Sequence, residues 1–140
     1  MFRILALLLC SIVWPVLTAK ASQPDDAAIR LEISGRNFAV ALENNAAAKA
    51  FVERLPMTLD MSELNGNEKY HYLTETLPSA SENVKQIRAG DIMLYGDNCL
   101  VVFYKSFATS YRYTRIGYIG DPVALESAVG KGDVTVRFFK

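Results

Sequence analysis

Short segments of alternating apolar and polar residues, separated by turn residues, make up most of the chain after residue 28. Ile29 to Ile33 and Phe38 to Leu42 flank a turn at residues 34–37, which predicts a hairpin with one apolar face. Residues 134–138 alternate in the same way and predict a final strand. Such segments recur about eight times, so the chain is expected to be mainly β.

Two short helices interrupt this pattern. Asn44-Asn45 precedes an alanine-rich stretch that Pro56 closes, and asparagine is a preferred helix N-cap. Apolar residues recur there at helical spacing: Ala47, Phe51 and Leu55. Asp121 and Pro122 suit the cap and the first position of a second helix, which Gly130 ends.

Many short strands with few helices predict a closed or nearly closed barrel, because closure removes exposed strand edges. Two segments, Asp91 to Tyr95 and Cys99 to Tyr104, are apolar almost throughout and are expected to be buried on both faces. No repeat or internal linker divides residues 29–140, so they are predicted to form one barrel of about eight strands, with helices at its mouths.

The first residues have the pattern of a secretory signal peptide. Arg3 precedes an apolar run from Ile4 to Leu17, and small residues follow up to Ala21. The run is short for a membrane span, so we predict cleavage after Ala21, a flexible leader at residues 22–28, and a periplasmic or secreted product without a membrane anchor. A retained N-terminal anchor is the alternative.

Cleavage would change the chemistry available to the domain. The full chain has 15 basic and 15 acidic residues, and loss of Arg3 and Lys20 leaves a net charge of about −2, with no basic stripe for nucleic acid. Cys10 also leaves, so Cys99 has no internal disulfide partner and is expected to be a buried small apolar residue. The domain is expected to be a monomer.

Few catalytic arrangements fit the remaining residues. His71 is the single histidine, which excludes a multi-histidine zinc site, and no phosphate loop or dinucleotide fingerprint is present. We therefore predict no metal and no cofactor, and a solvated or hydrogen-bonded strand position for His71. Asp60, Glu63 and Glu68 cluster around the Asn65-Gly66 turn and could act as a carboxylate pair, but a solvated turn with Lys69 as counter-ion is favoured.

The segment from residue 104 to residue 115 combines three tyrosines, a phenylalanine and three cations. Tyrosine and arginine are typical of binding surfaces, because they give contact area and polar tips at small entropic cost. The segment either covers a barrel mouth or lines a ligand groove. The candidate ligand-binding residues are Tyr70, Tyr95, Lys105, Tyr111 and Arg115.

Five strings, in the same order along the chain, resemble the small bacterial cyclophilin-like proteins. They are Leu55 to Leu59, Asn65 to Lys69, Gly90 to Tyr95, Phe103 to Lys105 and Thr114 to Gly117. The resemblance implies an eight-stranded barrel with a helix at each end. Cyclophilins isomerise X-Pro bonds with the arginine of a Phe-His-Arg motif, which this chain lacks, so the resemblance alone does not assign that activity.

The function favoured by these observations is a non-catalytic module that binds a peptide or small ligand. The alternatives are a divergent prolyl isomerase, in which Arg112 or Arg115 polarises the prolyl amide, another small-molecule enzyme, and a scaffold subunit of a larger complex.

Overall fold

The computed structural model describes residues 29–140. The predicted signal peptide and leader lie outside the described residues. The elements in chain order are β1 (Ile29–Ile33), β2 (Arg36–Leu42), α1 (Ala46–Glu53), β3 (Met57–Leu64), β4 (Glu68–Tyr72), β5 (Glu82–Asn83), β6 (Gln86–Ile87), β7 (Asp91–Tyr95), β8 (Cys99–Phe103), β9 (Phe107–Ala108), β10 (Arg112–Ile119), α2 (Pro122–Val129) and β11 (Val134–Phe139).

Eight of these strands form a closed antiparallel barrel, as predicted. Their order is β2-β1-β11-β3-β4-β8-β7-β10, and pairing of β10 with β2 closes the ring. The two strands approach closely at Gly117, where an added Cβ would lie 2.7 Å from the carbonyl oxygen of Ala41. The remaining three strands have two residues each, and β5 pairs with β10 while β6 pairs with β9.

The interior of the barrel holds the main apolar core. Its members alternate along the strands, as Leu31 and Ile33 do on β1 and Leu100 and Val102 on β8. Helix α1 packs Phe51 edge-on against Phe138 of β11, with the ring centroids 5.1 Å apart. No helix within residues 29–140 is long and apolar enough to cross a membrane.

Both predicted helices form and have the predicted caps. The Asn45 side chain accepts a hydrogen bond from the backbone N–H of Ala48 at 2.8 Å, and the Asp121 side chain accepts from Ala124 at 3.1 Å. Helix α1 ends at Glu53, so Leu55 lies outside the helix to which the spacing of apolar residues had assigned it. Leu55 precedes Pro56, and the residue before a proline is disfavoured in helical conformation.

Lys69, which follows the turn between β3 and β4, is less exposed than predicted. It is fully buried instead of solvated, and its ammonium donates to the carbonyl oxygens of Gly130 at 3.0 Å and Gly132 at 2.5 Å. It also pairs with the partly exposed Glu63 carboxylate at 3.1 Å, so Lys69 is a counter-ion as predicted, but a buried one. Tyr104 donates a short hydrogen bond to the same carboxylate.

This network shifts the pKa values of Glu63 and Tyr104. Burial alone would raise the pKa of Glu63, but hydrogen bonds from Tyr104, the Gly66 amide and Lys69 together lower it below the ordinary value. Burial raises the pKa of Tyr104, and its hydrogen bond to the carboxylate raises it further. Glu63 therefore stays ionised and Tyr104 stays protonated at neutral pH, which keeps Lys69 neutralised.

Candidate functional site

A second apolar cluster lies on the outer face of the barrel, across strands β4, β8, β7 and β10. Five of its buried members point away from the interior because they alternate with the core residues along the strands: Met93, Cys99, Val101, Phe103 and Tyr113. Val84 and Ile87, from the segment between β5 and β7, complete the cluster. Tyr70 and Phe107 pack against them. This outer cluster explains why β7 and β8 are buried on both faces, as predicted.

Two connecting segments cover part of this outer face. Ile87 of β6 pairs with Phe107 of β9, and the N–H of Thr109 donates to the carbonyl oxygen of Lys85 at 2.9 Å. The Ser106 hydroxyl accepts a hydrogen bond from the Ala89 amide at 2.9 Å. The segment of residues 104–111 is thereby held against the barrel wall, and it does not plug the barrel.

Between this segment and the strands lies a cavity of about 550 Å³. Residues of β4, β7, β8, β9 and β10 line it, together with the end of β3, the turn before β4 and the loop before β10: Leu64, Asn65, Asn67, Glu68, Tyr70, Tyr72, Tyr95, Cys99, Val101, Phe107, Ala108, Thr109, Ser110, Tyr111 and Tyr113. Strand register builds its floor, since Cys99 is paired with Tyr72 on one side and Tyr95 on the other.

The aromatic rings at the cavity form a continuous series of ring-to-ring contacts. The Tyr95 ring lies 6.0 Å from Tyr111 and 5.6 Å from Tyr113, and Tyr113 lies 5.6 Å from Phe103. Tyr70 and Tyr72 form a separate edge-on pair with centroids 5.8 Å apart. These contacts limit the conformational freedom of the rings, so the aromatic wall of the cavity is preorganised.

Exposed apolar side chains are concentrated at this cavity. Tyr72 is 63% exposed, Tyr111 62%, Tyr95 47% and Leu64 40%, and all four line it. Among residues 29–140, Val123 is the one other large apolar side chain that is as exposed. A clustered exposed apolar surface marks a binding site more often than scattered residues do.

One charged group lines the cavity without a partner. The Glu68 carboxylate has no hydrogen bond or ion pair within the described part of the chain. The adjacent Asn67 also lines the cavity, but its unpaired Oδ1 atom is buried and has no surface open to it. Burial raises the pKa of Glu68, and the nearby negative charge of Glu63 raises it further. The sequence analysis predicted a solvated turn position for Glu68.

Glu68 also affects its neighbours. Burial raises the pKa of the Cys99 thiol to about 11, and the Glu68 charge contributes to this rise. The pKa of Tyr113 is raised to about 12 by burial first and then by Glu68. Both groups are therefore protonated at neutral pH, so Cys99 is a poor nucleophile, as expected of a buried cysteine.

Alkylation of Cys99 by iodoacetamide is therefore expected to be slow. A pKa of about 11 instead of 9.0 lowers the thiolate fraction at pH 8 roughly a hundredfold. The measurement is the rate of carbamidomethylation by mass spectrometry in native buffer and in urea. A native rate equal to the rate in urea would contradict this prediction.

Replacing Glu68 with glutamine is expected to stabilise the fold at neutral pH. Because the folded-state pKa is raised, the unfolded state ionises first as pH increases, and stability is lost between the ordinary value of 4.5 and the raised value. Glu68→Gln removes this loss. Urea unfolding should show the gain at pH 7, and the gain should vanish at pH 4, where the carboxyl is protonated in both states.

A matched variant is Glu53→Gln, which changes the same charge on the exposed end of α1. It is expected to change the free energy of unfolding by less than about 0.5 kcal/mol. Equal stability changes for the two variants at both pH values would contradict the burial argument.

Three of the five predicted site residues come together in the cavity: Tyr70, Tyr95 and Tyr111. The two cations do not line it. Arg115 pairs with Glu82 at 2.8 Å, and Lys105 pairs with Glu126 of α2. Their neutralising partners are distant in sequence, so the charge-rich segment alone did not reveal them.

The described residues also locate the other candidate groups. Arg112 donates to the carbonyl oxygen of Ser81 at 2.6 Å, so neither arginine of the isomerase hypothesis lines the cavity. His71 faces away from it, and its Nδ1 lies 2.8 Å from the carbonyl oxygen of Asp60, which agrees with a hydrogen-bonded strand residue. Residues 29–140 contain no group of three side chains placed to hold a metal ion.

Comparison with solved structures gives a neighbour with the same fold, the structure of McbB in complex with tryptophan. It superposes with a TM-score of 0.58 at 18% sequence identity. The match covers 80% of this chain and 44% of McbB, so the chain spans less than half the length of that protein. The likeness establishes the fold alone.

Comparison with curated proteins finds no significant match. The sequence pattern of the cyclophilin-like family matches residues 31–139, which span the barrel from within β1 to the end of β11 and include both helices. The match confirms the resemblance inferred from the five short strings. The chain belongs to the cyclophilin-like family.

Proposed function

We propose that this protein is an exported, non-catalytic domain that binds a small molecule, or one side chain of a peptide, in the tyrosine-lined cavity. The observation that carries the proposal is the concentration of exposed tyrosines around one concave site. Exposure of these rings to water costs free energy that a ligand would recover on binding.

The dimensions and chemistry of the cavity support this function. A volume of about 550 Å³ lies within the range of small-molecule sites. Tyrosine offers apolar area with few rotatable bonds, so little conformational entropy is lost when a ligand is bound. The structural neighbour was solved in complex with tryptophan, a ligand with an aromatic ring. We therefore expect the ligand to contain an aromatic or apolar group.

The export part of the proposal depends on residues 1–21. It is tested by expression of the full chain in a bacterium, followed by fractionation and N-terminal sequencing. A periplasmic or secreted product that begins at Ser22 is the expected result. A product that keeps its first residues in the membrane fraction would contradict export as a cleaved domain.

The binding part is tested by titration of a fragment mixture of aromatic amines, alcohols and acids, followed by amide chemical shifts. Tyr111→Ala and Tyr95→Ala are each expected to weaken the fragments that bind about tenfold, since aromatic anchors dominate binding energy. Val123→Ala is the control, because Val123 is 81% exposed but lies outside the cavity.

Two outcomes would contradict the binding proposal. One is that no fragment of any charge class shifts the cavity residues at millimolar concentration. The other is that the two tyrosine variants bind the fragments as well as the Val123→Ala variant does.

A further inference from the structure

The cavity is negatively charged and has no basic residue to balance that charge. Its lining contains the Glu68 carboxylate and, among the described residues, no lysine, arginine or histidine. The nearby Glu63 is already paired with Lys69, and the side chain of Lys69 is turned into the barrel interior. A ligand that enters the cavity therefore meets one carboxylate that still lacks a counter-ion.

The Glu68 carboxylate is the acceptor at this end of the cavity that a ligand can reach. The neighbouring Asn67 Oδ1 atom is also unpaired, but it is buried and has no surface open to the cavity, so it is not a ligand contact. The polar end of the cavity therefore suits a group that carries both positive charge and hydrogen-bond donors.

The walls suit the same ligand. Tyr70, Tyr72, Tyr95, Tyr111 and Tyr113 line the cavity, and the face of a tyrosine ring attracts a cation within about 6 Å of its centroid. An anion would be repelled by both the carboxylate and the ring faces. A bare metal ion is a poor fit, because aromatic rings replace the several oxygen ligands that it needs.

We infer that the cavity binds an organic ammonium ion with an apolar or aromatic body, whose N–H groups are held by Glu68 and whose charge contacts the surrounding tyrosine rings. This inference rests on the proposed function and narrows its ligand class. It favours a primary or secondary amine over a quaternary one, because a quaternary nitrogen has no N–H group to donate to the Glu68 carboxylate.

The test uses four probes that share one phenyl ring and differ in their polar group: phenethylamine, its N,N,N-trimethyl derivative, 2-phenylethanol and phenylacetate. Each is titrated at pH 7 into residues 22–140 or the full processed protein, and the amide shifts of the cavity residues are followed. Phenethylamine is expected to bind at least about tenfold more tightly than 2-phenylethanol, and phenylacetate is expected to bind most weakly. The trimethyl derivative should fall between phenethylamine and the alcohol.

Two charge-matched variants identify the group that is responsible. Glu68→Gln should reduce the affinity for phenethylamine to that of 2-phenylethanol and leave the affinity for the alcohol unchanged. Glu53→Gln removes the same charge outside the cavity and should change neither affinity.

The outcomes distinguish this inference from the function on which it rests. If the alcohol or the acid binds in the cavity as tightly as the amine, the ammonium inference is wrong and the binding function stands. The same conclusion follows if Glu68→Gln and Glu53→Gln bind the amine equally well. If none of the four probes binds at millimolar concentration, both the inference and the proposed site are wrong.

Discussion

Replacing Lys69 with methionine is expected to destabilise the fold by about 3–5 kcal/mol, which is the usual cost of removing one partner of a buried ion pair. The Lys69 ammonium is fully buried and satisfies the Glu63 carboxylate and the carbonyl oxygens of Gly130 and Gly132. Its charge also lies 5.1 Å from the centre of the Tyr104 ring. Methionine has a similar length but donates to none of these acceptors, so all of them would lose a partner.

The measurement is urea unfolding of the two proteins at neutral pH. Lys105→Met is the matched control, because Lys105 also pairs with a glutamate, but both side chains are about half exposed. The control is expected to lose less than about 1 kcal/mol. Similar losses for the two variants would show that the interior contacts of Lys69 contribute little to stability.

Gly90→Ala is expected to have a comparably large effect. Gly90 has a φ of 102°, and an added Cβ would lie 2.5 Å from the carbonyl oxygen of Ile119. Its own N–H donates to Phe103 and its carbonyl accepts from Ile119, each at 2.8 Å, so the backbone cannot move away without loss of these bonds. The left-handed conformation and the steric overlap should together cost about 2–5 kcal/mol.

Gly96→Ala separates these two contributions. Gly96 also has a positive φ, of 63°, but an added Cβ would meet no atom within 4 Å. It is expected to lose only about 1–2 kcal/mol, which is the cost of the left-handed conformation alone. Thermal or urea unfolding of the two variants in parallel is the test, and a Gly96→Ala loss as large as that of Gly90→Ala would contradict the steric argument.

The local signals in the sequence predicted most of the barrel. Alternation identified the strands with one solvated face, such as β1, β2 and β11, because each of them buries every second residue. The helix caps could also be predicted from the sequence, because Asn45 and Asp121 accept hydrogen bonds from backbone amides only three residues ahead. The short strands β5, β6 and β9 were missed because two residues show no periodicity.

The candidate site was only partly predictable. The tyrosines were recognisable as candidate binding residues by type, but Tyr70, Tyr95 and Tyr111 share one cavity only because β4, β8, β7 and β10 are neighbours in the barrel. The cations Lys105 and Arg115 were included because of their position in the chain. Folding places each of them next to a glutamate outside the cavity.

Local patterns along the chain were enough to predict a mainly β protein with two capped helices, because each strand and each cap depends on residues only a few positions apart. Closure of the barrel depends on the distant strands β2 and β10. Tertiary structure alone decided where its chemistry lies. The period of a strand defines two faces but not the neighbours of either face, so the sequence could not show that Lys69 enters the interior or that Glu68 joins a tyrosine-lined cavity. Those placements depend on strand order and on loops more than 30 residues away.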